Sequence, residues 1–193
     1  MSFPTKYKVL ETGSLIQEGY AVSSIQFGDA EEIRCWRNEQ MCALRQSKAL
    51  SKEDQLAYFD NVLKQEFNQT HPRQILVRFC LDGKLIGYGG IVHLDWENLR
   101  GEVSFLLATE RTLNQASYHK ELLIFFTLIK RLGFCVLGLN KLTTEAYANR
   151  AFHVQAIEDA GFCREGTLRQ HVMIEGQWVD AVVSSCLKTE FLD

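Results

Sequence analysis

Three groups of residues in this chain combine side-chain type with a spacing that permits chemistry. His93 and Asp95 form an H-x-D pair. In a strand, where alternate side chains share a face, an imidazole and a carboxylate so spaced would enter one cleft and could move protons there. The competing reading is a hydrogen-bonded loop histidine beside a turn aspartate. Glu102 is the only carboxylate between Gly101 and Ala108. At the start of a strand it could accept a proton directly or through water, or stand as an exposed strand end with no role. Arg34, Trp36, Arg37 and Asn38 make an R-x-W-R-N string, in which a guanidinium can pair an anion bidentately and an amide can bond a hydroxyl. Its rival is a solvated helix face with Trp36 buried. Trp96, next to Asp95, reads as a core or rim aromatic, or as a platform on which a sugar ring stacks.

Other chemistries are set aside by what the sequence lacks. The five histidines show no H-E-x-x-H or other ligand spacing. The six cysteines (Cys35, Cys42, Cys80, Cys135, Cys163 and Cys186) contain no C-x-x-C pair, against both a structural zinc site and a disulfide framework. They read as small buried hydrophobes in a reducing compartment. No Ser-His-Asp or Cys-His signature for a nucleophile is present. A net charge of −3 and a pI near 6.0 supply no basic field for nucleic acid. No like-charge run exceeds the length of Glu31-Glu32, so no polybasic patch meets a membrane surface. The longest apolar run, residues 122–129, is far short of the roughly 20 residues that span a bilayer. No apolar stretch follows Lys6 and Lys8, so no secretory signal is expected. The expectation is a cytoplasmic protein with no metal, no nucleic acid and no membrane partner.

The 193 residues, 46% apolar and 23% charged, suit one domain over 1–193, with 1–19 as an N-terminal extension or edge element. Residues 20–27 read as a strand ended by Gly28. Asp29 then offers an N-cap oxygen to a helix expected to continue to Arg45. Ser51 and Asp54 begin a second helix with Leu56, Tyr58, Phe59, Val62 and Leu63 on its apolar face. After Pro72 the period becomes extended: a strand over 75–81, an Asp82-Gly83 turn, a return strand to about His93 and a third strand over 102–108. An amphipathic helix over 117–132, a strand over 139–146 and a helix over 150–160 follow. Gly161 closes the last helix in the left-handed region, and a hairpin around Glu175-Gly176 ends the chain. The crossover makes the strands near 102–108 and 139–146 parallel neighbours, with a ligand crevice between them.

This order, with particular residues, resembles the GNAT N-acetyltransferase superfamily over nearly the whole chain after residue 20. Gly161-Phe162, Glu165-Gly166, Arg169, Gly176 and Asp180 are similar to the G-F-x-x-E-G-x-x-R pattern of its ribosomal-protein and amino-sugar acetyltransferases. The segments 85–91 and 102–107 are similar to the family's x-IG-x-x-G and E-I-G-Y-W-L strands. The resemblance implies an α/β (α+β) fold, a central mixed sheet of about seven strands flanked by about four helices. It also implies acetyl-CoA as co-substrate and a small primary amine as acceptor, with a homodimer as the partner state left open.

The resemblance further implies roles for individual residues. The backbone near Leu106 and Leu107 would bind the thioester oxygen. Residues 111–116 stand where the family's [QR]-x-x-G-x-[GA] loop holds the pyrophosphate, with Arg111, Gln115 and Ala116 in it and Asn114 in place of glycine at a position of positive φ. Asn149 and His153 fall near the pantetheine. The tyrosine that protonates the leaving thiolate falls on Ile157, so Tyr147, His153 or water would take that part. Glu102 is the leading base, His93 and Asp95 follow, and Trp36, Arg37, Asn38 and Trp96 build the acceptor side. The favoured acceptor is a nucleotide-linked amino sugar. The alternatives are a protein N-terminus, or a non-catalytic GNAT-like binding module whose loop no longer recruits CoA.

Overall fold

The computed structural model describes residues 2–191. Its centre is one eight-stranded sheet in the order β1-β2-β3-β4-β5-β6-β8-β7, one strand more than expected, because Ser14–Gln17 (β1) pairs antiparallel with Tyr20–Ser24 (β2). Ile75–Leu81 (β3), Lys84–Asp95 (β4) and Arg100–Leu107 (β5) form an antiparallel meander. Lys141–Tyr147 (β6) runs parallel to β5, as the crossover requires, and Cys163–Ile174 (β7) and Gln177–Leu187 (β8) form the terminal hairpin. The turn residues behave as their types dictate: Asp82 and Gly83 have φ of 48° and 82°, and Gly161 has 83°.

Helices cover both faces. Ala30–Glu39 (α1) and Lys52–Tyr58 (α2), the latter continued by a wider turn into Lys64–Glu66 (α3), lie on one side. Gln115–Lys130 (α4) and Ala151–Asp159 (α5) lie on the other. Strand alternation assigns the faces. Phe79 and Phe105 turn to α4, with ring centroids 5.3 and 4.6 Å from that of Phe125. Between them Gly89 leaves room for Phe125: a Cβ there would stand 2.7 Å from its ring and 2.1 Å from the Ser104 carbonyl. Leu76, Tyr88 and Ser104 turn to α1 and α2, where they line one cavity.

Two local expectations are corrected. Asp29 does not cap α1 with its side chain. Its buried carboxylate instead accepts from Gln26 N–H at 2.8 Å and pairs with Arg78 at 3.1 Å. The first helix also stops at Glu39 rather than Arg45. Asn38 accounts for the early stop: its amide donates to Leu50 O at 2.9 Å and accepts from Leu50 N at 2.8 Å and Gln46 Nε2 at 3.0 Å. Residues 40–50 therefore fold back as a loop, which carries Arg45 over the sheet. Ser51 and Asp54 form the expected capping box at the start of α2.

Candidate active site

β5 and β6 pair only from Arg100–Lys141 to Glu102–Thr143 and then separate. The reason lies on their other sides. β5 follows β4 to Leu107 and β6 follows β8 to Tyr147, and the two neighbours twist apart. The gap is a cavity of about 290 Å³ walled by Glu102–Phe105 and by Thr144–Tyr147, with Arg37, Arg45 and Arg150 at its sides. A second opening, lined by Gln40, Thr109, Gln115, Tyr118, Asn149 and His153, joins it past Arg150 and His153.

The ladder determines which backbone groups face this gap. Ala108 N–H donates to Ile86 O at 2.9 Å, and hydrogen-bonded pairs recur at every second residue of an antiparallel ladder. The N–H groups of Glu102, Ser104 and Leu106 therefore belong to β4, and those of Phe105 and Leu107 face the gap. Thr143 Oγ1 reaches Gly101 O from that side, and Gln40 Nε2 reaches Leu107 O at 2.9 Å. Of the two expected backbone donors, Leu107 is thus presented and Leu106 is not.

The loop expected to hold a pyrophosphate has another shape. No residue of 108–116 has a positive φ. Asn114 is extended, at φ −106°, and its side chain caps α4 by accepting from Ser117 N–H at 3.0 Å. Tyr118 N–H goes to Asn114 O, which leaves Gln115 and Ala116 as the first-turn N–H groups without an intrahelical acceptor. Arg111 is turned inward onto Glu121, with Nε 3.0 and 2.8 Å from its two oxygens and Nη2 closer still. Glu121 is 2% exposed, so this pair neutralises a buried carboxylate. For an anion the site offers the N-terminus of α4 and its dipole, not a glycine nest.

Glu102 and Glu145 face each other across the gap, and Arg45 Nη2 lies 2.9 Å from the first and 3.1 Å from the second. His93 lines the same cavity. Asp95 does not: the β4 register shifts between Val92 and Asp95, and His93 takes φ 51°. That irregularity breaks the alternation that would have put both on one face. Asp95 instead closes the β4–β5 turn, accepting from Asn98 at 3.0 and 2.8 Å and from Arg100 at 3.1 Å, bonds that lower its pKa. Trp96 donates to Pro72 O at 2.8 Å and packs near His71, away from the gap. Trp36 belongs to the core and Asn38 to the loop. Arg37 does border the gap, held by Tyr88 Oη at 2.8 Å and Gln46 Oε1 at 3.0 Å.

Asn149 and His153 lie together along the second opening. His153 Nδ1 is 2.7 Å from Tyr118 Oη, to which Arg150 Nη2 donates at 3.4 Å. Burial, and then the Arg150 charge, hold the His153 pKa down to about 3, so the imidazole is neutral and no acid at neutral pH. Burial raises the hydroxyls of Tyr118 and Tyr147, with Arg150 and Arg45 respectively pulling the other way. Both stay protonated. Arg45, Glu145, Tyr118 and Gln40 escaped the sequence reading. For the first and last the misplaced helix end was the obstacle. Only the alternation of β6 across from Glu102 could have signalled Glu145.

A family model described as an acetyltransferase (GNAT) domain matches residues 22–183. No curated protein matches the chain. Among solved structures, the chain is similar to spermidine N-acetyltransferase from Vibrio cholerae in complex with CoA and spermine. The TM-score is 0.81 at 16% identity over 92% of this chain and 100% of that one. A structure of the same enzyme described as dodecameric gives 0.70 at 16% identity, over 92% and 98%. Ribosomal-protein-S5-alanine acetyltransferase from Vibrio fischeri gives 0.71 at 17% identity, over 93% and 99%. At these identities the structures speak for the fold, and the family model covers most of the chain. The chain belongs to the GNAT acetyltransferase family, enzymes that transfer the acetyl group of acetyl-CoA to an amine.

Proposed function

We propose that acetyl-CoA lies along the open edge of β5 and that its acetyl group passes to a small primary amine entering from the α1–α2 side. The observation that carries this reading is the parting of β5 from β6 beside the N-terminus of α4. Acetyl-CoA supplies an acetyl group already activated as a thioester, so the chain needs no nucleophile of its own. Phe105 and Leu107 N–H groups are oriented to donate to the acyl oxygen as it gains charge. Gln115 and Ala116 N–H groups meet the phosphates, with Asn114 fixing the helix start and Arg111 acting through its pair with Glu121. Glu102 accepts the amine's proton once Arg45 has moved aside, with His93 as the second candidate. Tyr147, on the gap and protonated, gives a proton to the departing thiolate.

A nucleotide-linked amino sugar is the finer version of this reading. Arg37 supports it, since it borders the gap and could exchange Tyr88 and Gln46 for a phosphate. Asn38 and Trp36 lend nothing, being engaged in the loop and the core. A homodimer also belongs to the proposal: β7 is an exposed edge, with Leu168, Met173 and neighbouring Trp178 in solvent. The test is calorimetric titration with acetyl-CoA, then release of CoA thiol over a panel of amines. The panel contains spermidine, a peptide beginning with alanine and a nucleotide-linked amino sugar. Binding of acetyl-CoA with turnover of any of them supports the proposal, and the preferred one names the acceptor. No binding at millimolar acetyl-CoA overturns it and leaves a non-catalytic binding module.

A further inference from the structure

We infer that the open end of the β5–β6 seam is a receptor for a primary ammonium, the protonated form of the acceptor amine, and that the Arg45 guanidinium is a stand-in that this cation displaces. The inference rests on the amine-acceptor reading above and adds to it the residues that select the acceptor's charge.

A single nitrogen of Arg45, Nη2, bridges carboxylates from the two facing strands, at 2.9 Å from Glu102 and 3.1 Å from Glu145. Guanidinium normally meets carboxylate through a two-nitrogen fork, and here the fork is not used. The position is that of a point cation. A further acceptor on the same wall is open: Glu145 Oε1 is buried without a hydrogen bond. His171 Nε2 lies 3.4 Å from Glu145 Oε1, an ion-pair contact only when the imidazole carries a proton. Buried polar atoms left unpaired are rare and ask for a reason. An ammonium has three donors on one atom. Placed where Nη2 now sits, it would serve Glu102 and Glu145 together.

Arg45 is suited to yield. It stands on the 40–50 loop, outside any helix or strand, with its side chain 47% exposed. Two carboxylates against its one charge leave the spot short of positive charge. The remaining arginines of the wall are engaged elsewhere, Arg37 on Tyr88 and Gln46, Arg150 on Tyr118.

The test is calorimetric titration of the full chain with n-propylammonium, without acetyl-CoA, so that it reads the cation site independently of turnover. Arg45→Ala should bind the probe about tenfold more tightly than the parent, at the low end of couplings seen for close charge pairs. Arg45→Lys, a tethered ammonium, should bind it no better than the parent. Glu145→Gln added to Arg45→Ala should remove the gain. Melting curves of each variant verify that it is folded. Equal affinity for parent and Arg45→Ala would overturn the stand-in. Undiminished affinity in the double variant would overturn the receptor. Tight probe binding by Arg45→Ala, with no acetylation of any amine, would uphold the cation site and defeat the proposed enzyme.

Discussion

The two walls of the cleft treat their polar groups in opposite ways. On the α4 side the side chains are engaged internally, while the Gln115 and Ala116 N–H groups stay open. Arg111 is folded onto buried Glu121, Asn114 caps the helix, and Tyr118 joins His153 to Arg150. On the seam side, Glu145 Oε1 and Thr144 Oγ1 have no hydrogen bond, and one exposed arginine covers two carboxylates. Unpaired buried groups carry a desolvation penalty, which a ligand in the gap would relieve at Glu145. The satisfied wall is scaffold that a cofactor can lean on, and the unsatisfied wall selects. Substitutions on the first should therefore read out mainly as stability and on the second mainly as kinetics.

The largest expected effect tests the seam. Glu102→Gln keeps the shape but cannot accept a proton near neutrality, so acetyl transfer should fall about 10²- to 10⁴-fold, with acetyl-CoA affinity unchanged. Activity should partly return at high pH, where more of the amine is already free. A pH–rate profile within threefold of the parent would move the base to His93. Next comes the scaffold. Arg111→Ala strands Glu121 as a buried unpaired charge and should cost about 3 kcal/mol in urea unfolding. If acetyl-CoA affinity collapses while stability holds, Arg111 touches the phosphates and the two walls are less distinct than drawn.

Acid sharpens the comparison further. With a folded pKa near 3, His153 stays neutral in the native state while the unfolded chain binds a proton below about pH 6.5. The unfolded state then holds more protons, so stability falls as pH drops from about 6.5, with a slope approaching one proton, about 1.4 kcal/mol per pH unit. Between about pH 6.5 and 5, before carboxylates titrate, chemical unfolding of parent and His153→Gln isolates the effect. The variant should lack that part of the slope. The smallest change is Asn114→Ala, which removes the α4 cap and should cost about 1 kcal/mol, whereas Asn114→Gly should cost only a few tenths. Tighter acetyl-CoA binding by the glycine variant would show that the loop rearranges into a nest when the cofactor arrives.

What the sequence determined by itself was whatever depends on near neighbours. Period-two runs became β3, β4 and β5. Ser51 with Asp54 began α2, Asp82-Gly83 turned a hairpin, and Gly161 ended α5, because strand alternation, capping and positive φ are settled within a few residues. The resemblance pointed to the family for the same reason, since its motifs are local strings in a fixed order. Only the tertiary structure decided where the charges went. Arg111 had the spacing of a phosphate ligand until a buried carboxylate ten residues on claimed it. The bulge at His93 separated a pair that period two had joined. Arg45, Glu102 and Glu145 meet because the 40–50 loop folds back where two strands part. Ionic and cleft contacts depend on distance in space across separate elements, and no spacing along the chain encodes that.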